Sequence, residues 1–203
     1  MSQLLALFPL DLVLLPGAPL PLHVFEPRYK EMIGEAISQN EQFGLVRLLN
    51  NNSIAEVGCT AEIVEVSKKY DDGRMDIVTQ GQKRFEIVRL DQERSFLRAE
   101  VTYFEDDEGH AAKSELEKLV DLHKELVGVA GGEPPEVELD EPQLSFQLAG
   151  SLPLDLDFKQ TLLGMRSEEQ RVTAMIEYYS ALIPQLKRTV KVREKAKGNG
   201  HAM

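Results

Sequence analysis

Residues 20–32 read LPLHVFEPRYKEM, and the fold turns on what happens between His23 and Tyr29. Leu20, Leu22 and Val24 alternate with Pro21, His23 and Phe25, the two-faced pattern of a half-buried strand. Glu26 then stands at an N-cap position and Pro27 at the first helical one, where its missing N–H is no loss. Tyr29, Met32, Ile33, Ala36 and Ile37 follow at helical spacing. A strand therefore hands over to a helix through a polar knot. In one reading of that knot, His23 is a general base and Glu26 its orienting partner. In the other, Glu26 closes the helix start, where an acid suits the positive end of the dipole, and pairs with Arg28 or Arg84. The alternation favours the second, because His23 shares a face with Phe25 whereas Glu26 opens a helix.

Working outward, residues 1–107 are β-rich. LALFPL (5–10), FGLVRLL (43–49), GCTAEIVEVSKKY (58–70) and RMDIVTQGQKRFEIVRL (74–90) read as strands, and Asp72-Gly73 marks a hairpin between the last two. Leu97, Ala99, Val101 and Tyr103 alternate with Arg98, Glu100 and Thr102 in a final strand. Six or seven short strands with one helix among them predict a closed or nearly closed barrel. Residues 108–203 are helical. Leu116, Leu119, Val120, Leu126 and Val127 share one stripe, with His123 on it as a packing residue. A Gly/Pro/acid loop spans 128–142, and shorter helices are expected at 143–151 and 156–163, the second stopping at Gly164. Ser167-Glu168-Glu169-Gln170 is a capping-box signature for a long final helix carrying Val172, Met175, Ile176, Tyr179, Ile183 and Leu186. Pro184 should kink that helix, and 195–203 is expected to be a disordered tail.

The 203 residues carry a net charge of −11, a field that repels nucleic-acid backbones and anionic membranes. Residues 187–198 run against it, with six basic residues and one acid, leaving −16 on the rest. The single cysteine, Cys59, permits no intrachain disulfide and fits a reducing cytoplasm. It reads as a small buried hydrophobe. The apolar opening lacks a basic n-region and is broken by Asp11 and four prolines, unlike a signal peptide. No stretch approaches the roughly 20 apolar residues of a membrane span.

Catalytic patterns are missing. There is no Gly-x-Ser-x-Gly elbow, no phosphate-cradling glycine loop, and no ligand spacing among His23, His110, His123 and His201. The acidic residues cluster in loops. No cofactor or metal is expected.

The stretch FPLDLVLLPGAPLPLHVFEPRYKEMI resembles the signature opening of the N-terminal substrate-recognition domain of Lon proteases, a domain also found in cereblon and as a free-standing bacterial protein. FGLVRL, VGCTAEIVEV, DGRMDIVTQGQKRFEIV and LPLDLDFKQTLLGMRSEEQRVTAM agree in order and spacing, so the resemblance covers roughly residues 5–180. It implies an α+β fold: an N-terminal PUA-like β pseudo-barrel with one helix, then a C-terminal α-helical bundle with a long final helix. It also implies recognition of unfolded or tagged proteins, in partnership with an ATP-dependent protease, rather than catalysis. Neither an ATPase module nor a Ser-Lys proteolytic module follows the final helix, and the cysteines of cereblon's zinc-bearing module are missing.

An incompletely closed barrel beside a helical lobe would leave a groove for extended or misfolded segments. The residues expected at it are Pro21, His23, Phe25 and Tyr29, with Arg84 and Phe85, while Glu26, Pro27 and Arg28 build the joint. Two other functions compete. RNA binding would use the PUA-like barrel and the basic tail. A hydrolase using His23 and Glu26 would need His23 accessible and within about 3 Å of an acidic or hydroxyl partner.

Overall fold

The computed structural model describes residues 4–50 and 53–198, with side chains through residue 192. They form a mixed α+β fold of six strands and five helices. The chain packs as two compact units. One holds the chain up to Asp106 together with Phe146–Met165; the other holds Asp107–Ser145 and the chain from Arg166. Phe146–Met165, expected with the helical half, thus belongs with the strands. The side chain of Gln160 donates to the Val57 carbonyl at 3.0 Å, and Arg84 reaches the carbonyls of Leu163 and Met165.

The strands of the first unit are β1 (Leu5–Leu10), β2 (Pro19–Val24), β3 (Phe43–Leu48), β4 (Ile54–Lys69), β5 (Met75–Asp91) and β6 (Arg98–Phe104). They join in the order β2-β5-β4-β3-β1-β6, and β5 also pairs with β6. That second pairing closes β1, β3, β4, β5 and β6 into a ring. The expected opening between barrel strands is therefore not present among the described residues. The joint of β1 with β6 is short, with Leu5 opposite Ala99 and Ala6 opposite Arg98.

Small residues make so tight a ring possible. Leu5, Leu7, Val46, Phe85 and Ala99 fill the interior. A Cβ added to Gly44 or Gly58 would stand 2.8 or 2.5 Å from Phe85 Cζ, so the two glycines make room for that ring. β5 changes partner at Gly81: residues 75–80 pair with β2, and 84–91 with β6. The chain entering β2 straps across this point, the Gly17 N–H donating to the Gly81 carbonyl and the Gly81 N–H to that of Ala18.

Helix α1 (Pro27–Gln39) begins where the sequence places it and buries Tyr29, Met32, Ile33 and Ala36. Tyr29 stacks on Phe8 of β1 with ring centroids 4.0 Å apart. The β4–β5 hairpin closes through Asp72-Gly73 as expected. Gly73 has φ of 82° and donates to the Tyr70 carbonyl at 2.9 Å. The alternation of the last strand fails at its end: Tyr103 is 51% exposed, while the next residue, Phe104, is buried against the Arg84 guanidinium.

In the second unit α2 (Lys113–Val129) packs on α5 (Glu168–Gly198). Leu119, Val120, His123, Leu126 and Val127 are buried from one, and Val172, Met175, Ile176, Tyr179 and Ile183 from the other. The Gln170 N–H donates to Ser167 Oγ at 3.3 Å, one half of a capping box. Helix α5 runs through Pro184 without interruption. The expected tail begins inside its last turn, and residues 199–203 lie outside the described ones. Helix α3 (Leu144–Gly150) has Ser145 in its first turn, whose N–H and hydroxyl both donate to Glu168; buried Arg171 donates to Ser145 Oγ and to Glu168. Helix α4 (Leu156–Gly164) is capped by Asp155, which accepts from the Phe158 N–H, and it ends at Gly164.

Candidate functional site

Beyond the ring, β2, the first half of β5 and the second half of β4 continue as a three-stranded antiparallel arm. Val24 and Ile77 face inward and are buried. Pro21, His23 and Phe25 face outward, as the alternation requires, and Phe25 is 59% exposed. His23 lies between two other rings. It stacks at 6.0 Å on Phe25 and meets Tyr70 edge-on at 6.0 Å. Lys68 and Arg74 sit 4.5 and 4.9 Å from the Tyr70 centroid.

The partner of His23 is not Glu26 but Asp76, directly opposite it on β5, with Nδ1 2.5 Å from Oδ1. The Tyr70 hydroxyl donates to the other Asp76 oxygen at 2.8 Å. These two bonds, His23 first, hold the Asp76 carboxyl below the usual range. His23 thus meets the geometric condition set for a hydrolase, with a different acid. The nearby Tyr70 hydroxyl, however, donates its hydrogen bond to that same acid, so His23, Asp76 and Tyr70 form a hydrogen-bonded group tying β2 to β5.

Glu26 sits at the N-cap of α1 in extended conformation, but its side chain makes no capping bond; it accepts from Arg28 Nε at 2.9 Å. The backbone carbonyl of Glu26 accepts from the Tyr29 and Lys30 N–H groups instead. Pro27 holds the first turn, and Arg28 lies 4.5 Å over the Tyr29 ring. Arg84, expected near the knot, is elsewhere. It is 2% exposed, bonds Asp106 and the carbonyls of Leu163 and Met165, and lies between Phe104 and Phe146. Phe85 fills the ring interior and Tyr29 lies under α1, so neither has a face left for a docked chain.

Of the six residues expected at a binding surface, the structure thus brings together Pro21, His23 and Phe25. It adds Tyr70, Asp76, Lys68 and Arg74. The hairpin signal could have placed Asp76 and Tyr70 near each other, but nothing local says that β2 pairs with β5.

A second concavity of about 620 Å³ lies among α1, β1 and β6, lined by Met32, Phe43, Phe96 and Tyr103. Its charged rim is already paired. Arg94 bonds Glu31 and Glu35 of α1, and Arg98 bonds Asp91. Bonds from Ser95 and then Arg94 lower the Glu31 carboxyl. Cys59 is fully buried in β4, and burial pushes its thiol up to about 12, which leaves it inert at neutral pH. Among the described residues no group of three metal-ligating side chains occurs, and no helix is long and apolar enough to cross a membrane.

The family described as the ATP-dependent protease La (LON) substrate-binding domain matches residues 5–180. The chain belongs to it. A Lon N-terminal domain protein from Xanthomonas campestris superposes with a TM-score of 0.71 at 25% identity, over 87% of this chain and 98% of that one. The N-terminal domain of Mycobacterium avium complex Lon protease shares the fold, with a TM-score of 0.64 at 18% identity over 88% and 98%. Lon protease 1 of Hydrogenovibrio crunogenus is 23% identical across 92% of this chain. The Lon protease of Flavobacterium johnsoniae is 24% identical across 91%. The chain spans 25% of the length of each of these two proteases. The Lon match therefore concerns the substrate-binding domain.

Proposed function

We propose that this chain is a non-catalytic recognition module for unfolded or hydrophobic polypeptide segments, serving as an adaptor or holdase that hands its cargo to an ATP-dependent protease. The observation that carries this reading is the outward face of the arm. There Phe25 lies exposed beside a rigid row of rings, on a sheet whose inner face is already packed. Exposed aromatic groups fixed by neighbours grip a passing chain with little loss of side-chain freedom. Membership in a substrate-binding family supports the same reading.

The test is equilibrium binding, without nucleotide, of a fluorescent, reduced and carboxymethylated protein. Saturable binding that falls about tenfold in Phe25→Ser supports the module, since losing one buried aromatic contact costs 1–2 kcal/mol. Equal binding of the native form of the same protein, or none of either, sinks it. Binding of a single-stranded RNA that weakens steeply with salt would favour the competing RNA reading instead.

A further inference from the structure

The arm has two outer edges, and they differ. On β2 the edge carries Pro19 and Pro21, which have no N–H to offer, so an incoming strand meets a blocked ladder. On β4 the pairing with β3 ends at Ala61, and residues 62–69 have a ladder partner on the β5 side alone among the described residues. The segment is EIVEVSKK and contains no proline. Beside this edge runs a groove of about 360 Å³, whose far wall is the C-terminal end of α1 and the turn after it. Its apolar lining is Ile37, Ile63, Val64 and Val66, with Val64 54% exposed. Its charged lining is Glu41, Glu62 and Glu65, and no lysine, arginine or histidine lines it.

We propose that residues 62–69 are an acceptor edge, to which an extended polypeptide segment of alternating apolar and basic residues adds as a further strand. The inference rests on the polypeptide-recognition reading and names the class of segment. Backbone groups of the β4 edge supply the ladder, the valine and isoleucine side chains receive the apolar positions, and the carboxylates of Glu62 and Glu65 receive the basic ones. The register shifts between Ile63 and Glu65 and between Val66 and Lys68 add twist to this half of β4. The groove lining carries acids and no base, so a segment bearing basic residues complements it, whereas a second copy would bring its own Glu62 and Glu65 to the same groove. A single foreign segment is therefore the occupant.

The experiment measures anisotropy of labelled eight-residue peptides on the full chain. One alternates valine with lysine, and a second alternates valine with glutamate. Two more are the lysine peptide N-methylated at its valine amides or at its lysine amides. The lysine peptide should bind and the glutamate peptide should not. One N-methylated isomer should bind as well as its parent, while the other, having lost its bonded edge, weakens more than about tenfold. Reversing the two acids of residues 62–69, Glu62→Lys with Glu65→Lys, should weaken the lysine peptide about tenfold and let the glutamate peptide bind, with circular dichroism unchanged.

Equal binding of both methylated isomers, or indifference to the charge reversal, overturns the acceptor edge. So does a concentration-dependent dimer that the reversal abolishes, which would make a second copy the occupant. If the carboxymethylated protein binds and the lysine peptide does not, this inference alone fails. If neither binds, the recognition reading fails with it.

Discussion

At the scale of single residues, Arg84 shows how a charged side chain can be structural. Its guanidinium is buried, placed between two aromatic rings, and given to one carboxylate and two backbone carbonyls. Removing it leaves Asp106 and both carbonyls without that donor. Arg84→Met should therefore cost roughly 3–5 kcal/mol in urea unfolding, and Arg84→Lys should not restore it, because an ammonium lacks the planar fork. Two glycines make a matched pair of tests. Gly73 needs its left-handed φ, and a Cβ there would meet only the flexible Lys30 side chain at 3.7 Å, an ordinary contact, so Gly73→Ala should cost about 1 kcal/mol from strain alone. At Gly81 a Cβ would stand 2.2 Å from the Leu15 carbonyl oxygen, so Gly81→Ala should cost about 3 kcal/mol or more by pushing the strap away. Equal midpoints for the two variants would contradict this account of the strap.

At the scale of elements, most of the chain was readable and most of the pairing was not. The strand-to-helix joint, the Asp72-Gly73 hairpin and the stripes of α1, α2 and α5 are local patterns, each complete within about fifteen residues. His23 and Asp76 lie 53 residues apart, and Arg94 meets Glu35 from 59 away. No periodicity carries that information. The parallel pairing of β1 with β3, the closure of β5 on β6 and the one-sided pairing of the second half of β4 depend on the same long-range choices. Tyr103 departs from the expected alternation where a buried arginine holds the next ring, Phe104.

His123 gives the helical unit a pH dependence. It is buried on α2 facing Tyr179 of α5, and burial holds its pKa below the ordinary value of about 6.5. The folded form therefore binds the proton less readily than the unfolded chain. Its contribution is intact above pH 6.5 or so and is lost as pH falls through the lowered value. Urea midpoints of the second unit's helices should drop between pH 7.5 and 5.5. His123→Leu should make that drop shallower; an unchanged drop would assign it to other groups.

At the scale of the whole molecule, the proposed binding lies in one unit and, within it, on the sheet arm. The arm's inner face is packed, one of its edges is blocked by proline, and its outer face and other edge remain open. On the proposed reading, recognition should be indifferent to substitutions at buried Cys59 that preserve its volume. The most direct measurement is hydrogen–deuterium exchange of the full chain, free and saturated with a carboxymethylated protein. The account predicts new protection at residues 19–25 and 62–69, with α2 and α5 unchanged. Protection confined to the helical unit, or none anywhere at saturation, would contradict it.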